Sequence, residues 1–256
     1  MIEFFDVNSI EAAKKTFRIA TGGFRYGFIA DIFPENIYRE LMATFPDVKK
    51  FKLVDKMSGG GHKHFYIAPH YEVSKNFGCW CHLRFFPALW KKAFQEAASP
   101  EFISFLSDSV GVKFNSLATF GHTYGNEGCV QEPHIDGAVR EDKGEYPSTL
   151  ATLLYFNEEP DNTGGTCVYA ADRKTVLFQA SSMRNGMFFF EQHPDAWHGF
   201  PLMPPGAERR LVSLAYGLEE SPIRLKNSLF HRITCIPSYK RAIKNLIRRT
   251  PYVKDF

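Results

Sequence analysis

Apolar positions recur along this chain in two rhythms, and the change from one to the other falls near residue 112. Ahead of it, Ile37, Leu41 and Phe45 follow Phe33-Pro34-Glu35-Asn36 at four-residue spacing. Proline suits a first helical turn, and that spacing puts the three side chains on one helix face. Pro46-Asp47 is expected to end this helix. A second helical zone is expected over about 84–97, and a third from Ser99-Pro100-Glu101, a cap and first turn, to Gly111. Gly59-Gly60-Gly61, followed by His62 and His64, reads as a mobile loop.

Beyond about Lys113, short apolar or alternating runs (116–120, 149–156, 167–169, 175–178, 186–190, 211–218) are separated by Gly, Pro, Asn and Asp clusters. This texture predicts an antiparallel sandwich or barrel. Helical spacing returns at 239–249, with Tyr239, Ala242, Ile243, Leu246 and Ile247 on one face and basic residues on the other. The expected fold is mostly β (α+β), one domain over 1–256. Its parts are a helix-rich N-terminal stretch (1–112), a β-rich core (113–220) and a basic tail (221–256).

Composition sharpens this picture in three places. Aromatic content is 15%, carried mostly by 25 Phe, which suits the inner face of a β-sandwich. No apolar run approaches the ~18 residues of a membrane span, and Met1-Ile-Glu-Phe-Phe-Asp lacks the basic start and apolar run of a signal peptide. Cys79, Cys81, Cys129, Cys167 and Cys235 show no paired zinc spacing, so free thiols in a reducing cytoplasm are expected. Residues 224–256 hold nine Lys/Arg against one acid, Asp255, in a chain of net charge +3. Such a tail is expected to be a solvated basic face, with peripheral contact to an anionic membrane through 239–249 as the alternative.

The candidate chemistry lies in Gln131-Glu132-Pro133-His134-Ile135-Asp136-Gly137. Residues two apart on a strand share a face, so His134 and Asp136 can offer a nitrogen and a carboxylate oxygen to one ion. Trp197-His198-Gly199, just beyond the strand-like Phe188-Phe189-Phe190-Glu191, supplies a third ligand. Two histidines and one carboxylate on one side of an iron ion leave three positions open, the facial arrangement of non-haem iron(II) oxygenases. His193 is a weaker competitor for the third position.

The surrounding order of motifs makes the pattern specific. His134/Asp136 is followed by the strand Thr149-Leu150-Ala151-Thr152-Leu153-Leu154-Tyr155-Phe156-Asn157, then Gly164-Gly165, His198, and Arg209-Arg210. Over about residues 115–218 the chain resembles the iron(II)/2-oxoglutarate oxygenase superfamily, in particular its prolyl-4-hydroxylase-like branch. The resemblance implies a double-stranded β-helix, a distorted jelly roll whose open mouth holds the metal, flanked here by N-terminal supporting helices and a basic C-terminal helix. It implies Fe(II), 2-oxoglutarate and O2, with ascorbate a candidate addition, and oxidative decarboxylation of 2-oxoglutarate to succinate and CO2.

The family also anchors the far carboxylate of 2-oxoglutarate on a basic residue, and an arginine fork suits that task. Counting back from Ser213 and Tyr216 favours Arg210, whereas distance from His198 favours Arg209; Arg210 is preferred. Tyr124 stands where related enzymes place a tyrosine on that carboxylate, and Thr152 is a further candidate for the same pocket, with core packing its ordinary role. Gly164-Gly165 is expected as a tight turn. Asp136 occupies the position that is small in related halogenases, so hydroxylation is expected over halogenation.

His62, His64 and His70 are expected in a lid or surface loop rather than a metal cluster, because they have no acidic or cysteine neighbour in sequence. A glycine-rich lid would exclude water from the iron. The expected substrate is a small molecule or biosynthetic intermediate, with a peptidyl-prolyl or other protein substrate as the alternative and a non-catalytic binding protein as the second. Nucleic acid is disfavoured, because no base-reading module is present and the basic residues concentrate after the core.

Overall fold

The computed structural model describes residues 2–74, 86–136 and 149–218, with only the backbone described over 69–74. Four α-helices lie among them: α1 (Val7–Ala13), α2 (Glu35–Ala43), α3 (Ala88–Ala97) and α4 (Pro100–Val110). Local chemistry sets their ends. The Ser99 hydroxyl accepts from the Phe102 N–H at 3.1 Å, Pro100 occupies the first turn, and Gly111 closes α4 in the left-handed region at φ 69°. α2 stops before Pro46, at Ala43. There the Thr44 hydroxyl donates back to the Glu40 carbonyl at 2.7 Å, leaving Phe45 beyond the helix yet packed on the core. α1 buries only Ile10 and is fixed by Asp6 capping Asn8 and Ser9, so its apolar pattern carries no period to read.

Twelve strands follow in chain order: β1 (Arg18–Ile19), β2 (Arg25–Ala30), β3 (Lys52–Ser58), β4 (Gly61–Ser74), β5 (Ser116–Gly125), β6 (Val130–His134), β7 (Leu150–Phe156), β8 (Cys167–Tyr169), β9 (Val176–Gln179), β10 (Arg184–Glu191), β11 (His198–Phe200) and β12 (Arg209–Gly217). They form one sheet in the order β1-β2-β10-β7-β12-β5-β4-β6-β11-β8-β9, with β3 branching off β4. The pairings are antiparallel.

The six expected segments beyond residue 113 correspond to β5, β7, β8, β9, β10 and β12. The stretch expected to be helix-rich also contributes β1–β4. β3 reads Lys-Leu-Val-Asp-Lys-Met-Ser and is largely exposed, so neighbouring backbone rather than an apolar pattern selects its conformation. Gly59-Gly60 is accordingly the tight turn of a β3–β4 hairpin rather than part of a loose loop, and His62 and His64 lie on a strand.

Alternation along the central strands separates two cores. On β10, Met187 and Phe189 join a layer with the helices, whereas Phe188 and Phe190 face the inside of the curled sheet. On β7, Leu150, Leu154 and Phe156 face the helices, and Ala151 and Tyr155 face inward. In the helix layer Trp90 and Phe94 meet Phe120 and Phe156, with Phe94 stacked on Phe120 at 4.0 Å between centroids. Each such ring contributes about 1.5–3 kcal/mol on burial.

The inner cluster closes the sheet on itself. Phe178 of β9 reaches Tyr26 of β2 and Phe188 of β10, at 5.6 and 6.0 Å. This is the distorted jelly roll, a double-stranded β-helix with helices supporting one face. Cys129 and Cys167 are buried free thiols. Among the described residues no helix is long and apolar enough to cross a membrane. The basic tail, the expected helix at 239–249, Cys79, Cys81 and Cys235 lie outside the described residues, as does the side chain of His70.

Candidate metal centre

His134 ends β6 and His198 begins β11, and the register pairs them directly across the two strands. Their rings lie 4.3 Å apart. Gly199 permits this approach, since a Cβ there would stand 2.1 Å from the Gln131 carbonyl oxygen. Asp136, just past the end of β6, turns its carboxylate between them, with Oδ1 3.2 Å from His134 Nε2 and Oδ2 3.3 Å from His198 Nε2. Ligand bonds of about 2.1 Å put neighbouring donors about 3 Å apart, so this spacing fits a single ion.

The hydrogen bonds behind the rings select the tautomer. His134 Nδ1 donates to the Glu132 carbonyl at 2.8 Å and His198 Nδ1 to the Ala196 carbonyl at 2.9 Å. A carbonyl only accepts, so each Nδ1 carries the hydrogen and each Nε2 is turned toward Asp136. Two lone pairs facing a carboxylate require a cation between them. For His134 a proton is a poor one, because burial and the neighbouring His198 push its pKa down to about 4. The donor set therefore fits a divalent metal ion.

Deeper inside, the alternation of β12 decides between the two arginines. Arg209 and Leu211 point inward, whereas Arg210 shares the side of Val212 and Leu214, which join the helix layer. Arg209 is buried; its Nε donates to the Gly164 carbonyl at 2.8 Å and its guanidinium to Thr166 Oγ1 at 2.9 Å. Its plane lies over Phe200, 4.3 Å from the ring centroid. The Tyr155 hydroxyl donates to Thr166 Oγ1 at 2.8 Å and accepts from the Thr166 N–H at 3.0 Å. No carboxylate among the described residues pairs with Arg209. A buried, permanently charged fork with only neutral partners is costly, and what it lacks is an anion.

The other three candidates for this carboxylate do not share the inward face of Arg209. Arg210 faces away from the interior, half-buried, and its guanidinium pairs with Glu208 at 3.0 Å. Tyr124 lies opposite Arg210 in the register and packs between Phe51 and Tyr66 on that outer side. Burial and the adjacent Glu208 carboxylate raise its pKa to about 12. Thr152 is buried on the helix side of β7 and donates to the Leu214 carbonyl at 3.3 Å. In each case a one-residue step along a strand reverses the side chain's face. Tyr155 and Thr166 are inward polar groups that sequence reasoning passed over. Tyr155 was legible as the second residue N-terminal to Asn157, on the face opposite Thr152.

The mouth has its own furniture. Gly59, at φ 63°, sits where a Cβ would come 2.4 Å from the Ile135 carbonyl oxygen and 3.3 Å from His134 Cβ, and its carbonyl accepts from the Ile135 N–H. The hairpin tip is thus packed against the ligand strand. Lys63 of β4 is buried, with Nζ 3.7 Å from Asp136 Oδ1; burial lowers its pKa while Asp136 opposes the shift. Gln131 Nε2 approaches His134 Nε2 at 3.2 Å. Arg173 covers Trp197 at 3.8 Å on the rim. His193 stands apart, stacked on Phe24 and 3.7 Å from Asp195. Gly164-Gly165 is the tight turn expected, and the Gly164 carbonyl also receives Arg209.

The fold around this ligand set is not peculiar to this chain. Solved structures share it at low identity. A prolyl-4-hydroxylase from Pseudomonas putida superposes with a TM-score of 0.57 at 13% identity, covering 82% of this chain and 99% of that one. A 2OG-Fe(II) oxygenase family oxidoreductase from Burkholderia pseudomallei gives 0.55 at 11%, covering 86% and 94%. A Trichoplax adhaerens prolyl hydroxylase in complex with a hypoxia inducible factor peptide fragment gives 0.54 at 14%, covering 87% and 92%. No protein-family model matches the chain, and no curated protein matches it in sequence.

Proposed function

We propose that this protein is an iron(II)- and 2-oxoglutarate-dependent dioxygenase that hydroxylates a small molecule or biosynthetic intermediate. The observation that carries the reading is the pairing of two unmet needs inside one barrel. His134, Asp136 and His198 converge as a ligand set for one cation, and Arg209 is buried with no carboxylate partner among the described residues. A divalent metal chelated by a dicarboxylate meets both.

In this reading His134, Asp136 and His198 hold iron(II), and Arg209, with the Tyr155 and Thr166 hydroxyls, holds the far carboxylate of 2-oxoglutarate. Bound iron with 2-oxoglutarate and dioxygen supplies the oxidation, releasing succinate and CO2 and delivering one oxygen atom to the substrate. The chain's own work is orientation. The Glu132 and Ala196 carbonyls fix the imidazole tautomers, and the inner apolar cluster around Tyr155, Phe188 and Phe190 keeps water from the cosubstrate's methylene carbons. A protein hydroxylase is the second reading, favoured by the fold shared with the prolyl hydroxylases.

The test is anaerobic addition of iron(II) and 2-oxoglutarate to the purified protein. A visible metal-to-ligand charge-transfer band is expected, absent in Asp136→Ala. No band and no bound iron in the wild type would leave a binding protein that kept the fold.

A further inference from the structure

Of the polar clusters away from the barrel interior among the described residues, one has the composition of a ligand set. In the β3–β4 hairpin the register sets Asp55 opposite His64 and Met57 opposite His62. Residues two apart on a strand share a face, as do directly paired residues across strands, so Asp55, His62 and His64 come together on one surface. His62 Nε2 lies 2.7 Å from Asp55 Oδ1, and His64 Nδ1 lies 3.6 Å from Asp55 Oδ2. One ligand atom from each of the three lies within 4.8 Å of the others. The backbone beneath is held as well, since the His62 N–H donates to Glu132 at 2.8 Å.

We infer that Asp55, His62 and His64 form a second metal site, separate from the barrel, which takes a divalent transition ion of the zinc type. Two imidazoles and a carboxylate suit zinc, with water completing a tetrahedral shell, and nitrogen donors disfavour magnesium and calcium. Bringing the donors to the ~3.4 Å separation of such a shell needs only side-chain adjustment at this half-exposed surface. An Asp55–His62 ion pair alone accounts for one carboxylate oxygen; the second oxygen, turned to His64, is what a shared ion uses.

The site's placement gives it a structural role. It lies on the face of β4 opposite Lys63, and it clamps together the two strands whose turn packs on His134 and Ile135. The inference goes beyond the proposed activity and stands without it.

Zinc stoichiometry by equilibrium dialysis tests it on the full chain. His62→Gln/His64→Gln is expected to bind one zinc fewer per chain than the wild type. In an Asp136→Ala background, one zinc is expected to remain and to weaken at least tenfold when the hairpin substitutions, or Asp55→Asn, are added. Cobalt(II) in that background is expected to show the visible absorption of a tetrahedral site, and zinc to raise its melting temperature. The hairpin variant should melt with the wild type when both are metal-free. Equal zinc stoichiometry in wild type and the hairpin variant, or no zinc bound by Asp136→Ala, overturns the inference.

Discussion

Two clusters of the same composition, two histidines and one aspartate, stand on opposite sides of strand β4's neighbourhood and differ in nearly everything else. In the barrel, His134 and His198 are buried, each ring is tied through Nδ1 to a backbone carbonyl, and the Arg209 guanidinium is buried on the same inner face. On the hairpin, His62 and His64 keep 39% and 31% of their side-chain surface, and Asp55 keeps 56%. The ligand set therefore does not by itself make a catalytic centre. What distinguishes the first cluster is a fixed tautomer, imidazoles with 0% and 5% of their side-chain surface exposed, and a buried arginine on the inner face of the same sheet.

The largest expected effect comes from removing the carboxylate that joins the barrel histidines. Asp136→Ala should lose iron at the barrel and drop succinate release below about 1% of wild type, while the hairpin cluster keeps its ion. Parallel metal analysis and turnover measurements check this. Loss of both ions together would erase the distinction between the clusters.

Next in size is the contrast between adjacent arginines. Arg209→Ala should weaken 2-oxoglutarate at least about 30-fold, as expected for one partner of a buried charged pair, whereas Arg210→Ala, paired with Glu208 at the surface, should change it less than about threefold. Titration of the charge-transfer band reads both. Equal effects would mean that the inward face of β12 is not the anchor.

Those arginines also mark where the sequence stopped being legible. The motif order located the ligands because His134, Asp136 and His198 are defined by spacing and type. Most strands beyond 113 were legible because their faces are apolar. Arg210 was preferred by counting from Ser213 and Tyr216, but a count cannot carry the phase of a pleat, and an error of one residue inverts the face. Tyr124 and Thr152 lie on the same side of their strands as the helix layer, and Tyr155 on the other. The hairpin failed for a different reason. Lys52–Ser58 buries almost nothing, so no apolar period announces it, and Asp55, seven residues from His62, becomes its partner only once the strands pair.

A smaller effect sharpens the inner pocket. Tyr155→Phe removes one hydroxyl from the Thr166–Arg209 group and leaves the ring's packing intact. The expected cost is about 1–1.5 kcal/mol, or roughly tenfold in 2-oxoglutarate affinity, with iron binding in the absence of cosubstrate unchanged. A tenfold loss of iron instead would reassign Tyr155 to the support of the metal.

The smallest effect is expected at the hairpin cluster itself. His62→Gln/His64→Gln deletes both imidazoles on the outer face of β4 but leaves Lys63 on the inner face and Gly59 against Ile135. The register to β6, where Lys63 pairs with Gln131, is made by backbone groups that glutamine also supplies. Turnover at saturating iron and 2-oxoglutarate should therefore stay within about twofold of wild type, in keeping with the small cost of altering surface ion pairs. Thermal inactivation with added zinc should separate the two proteins, because only the wild-type hairpin can be clamped. If turnover instead fell tenfold with iron binding intact, the tip would be acting on Asp136 through Lys63, and the two clusters would be parts of one device.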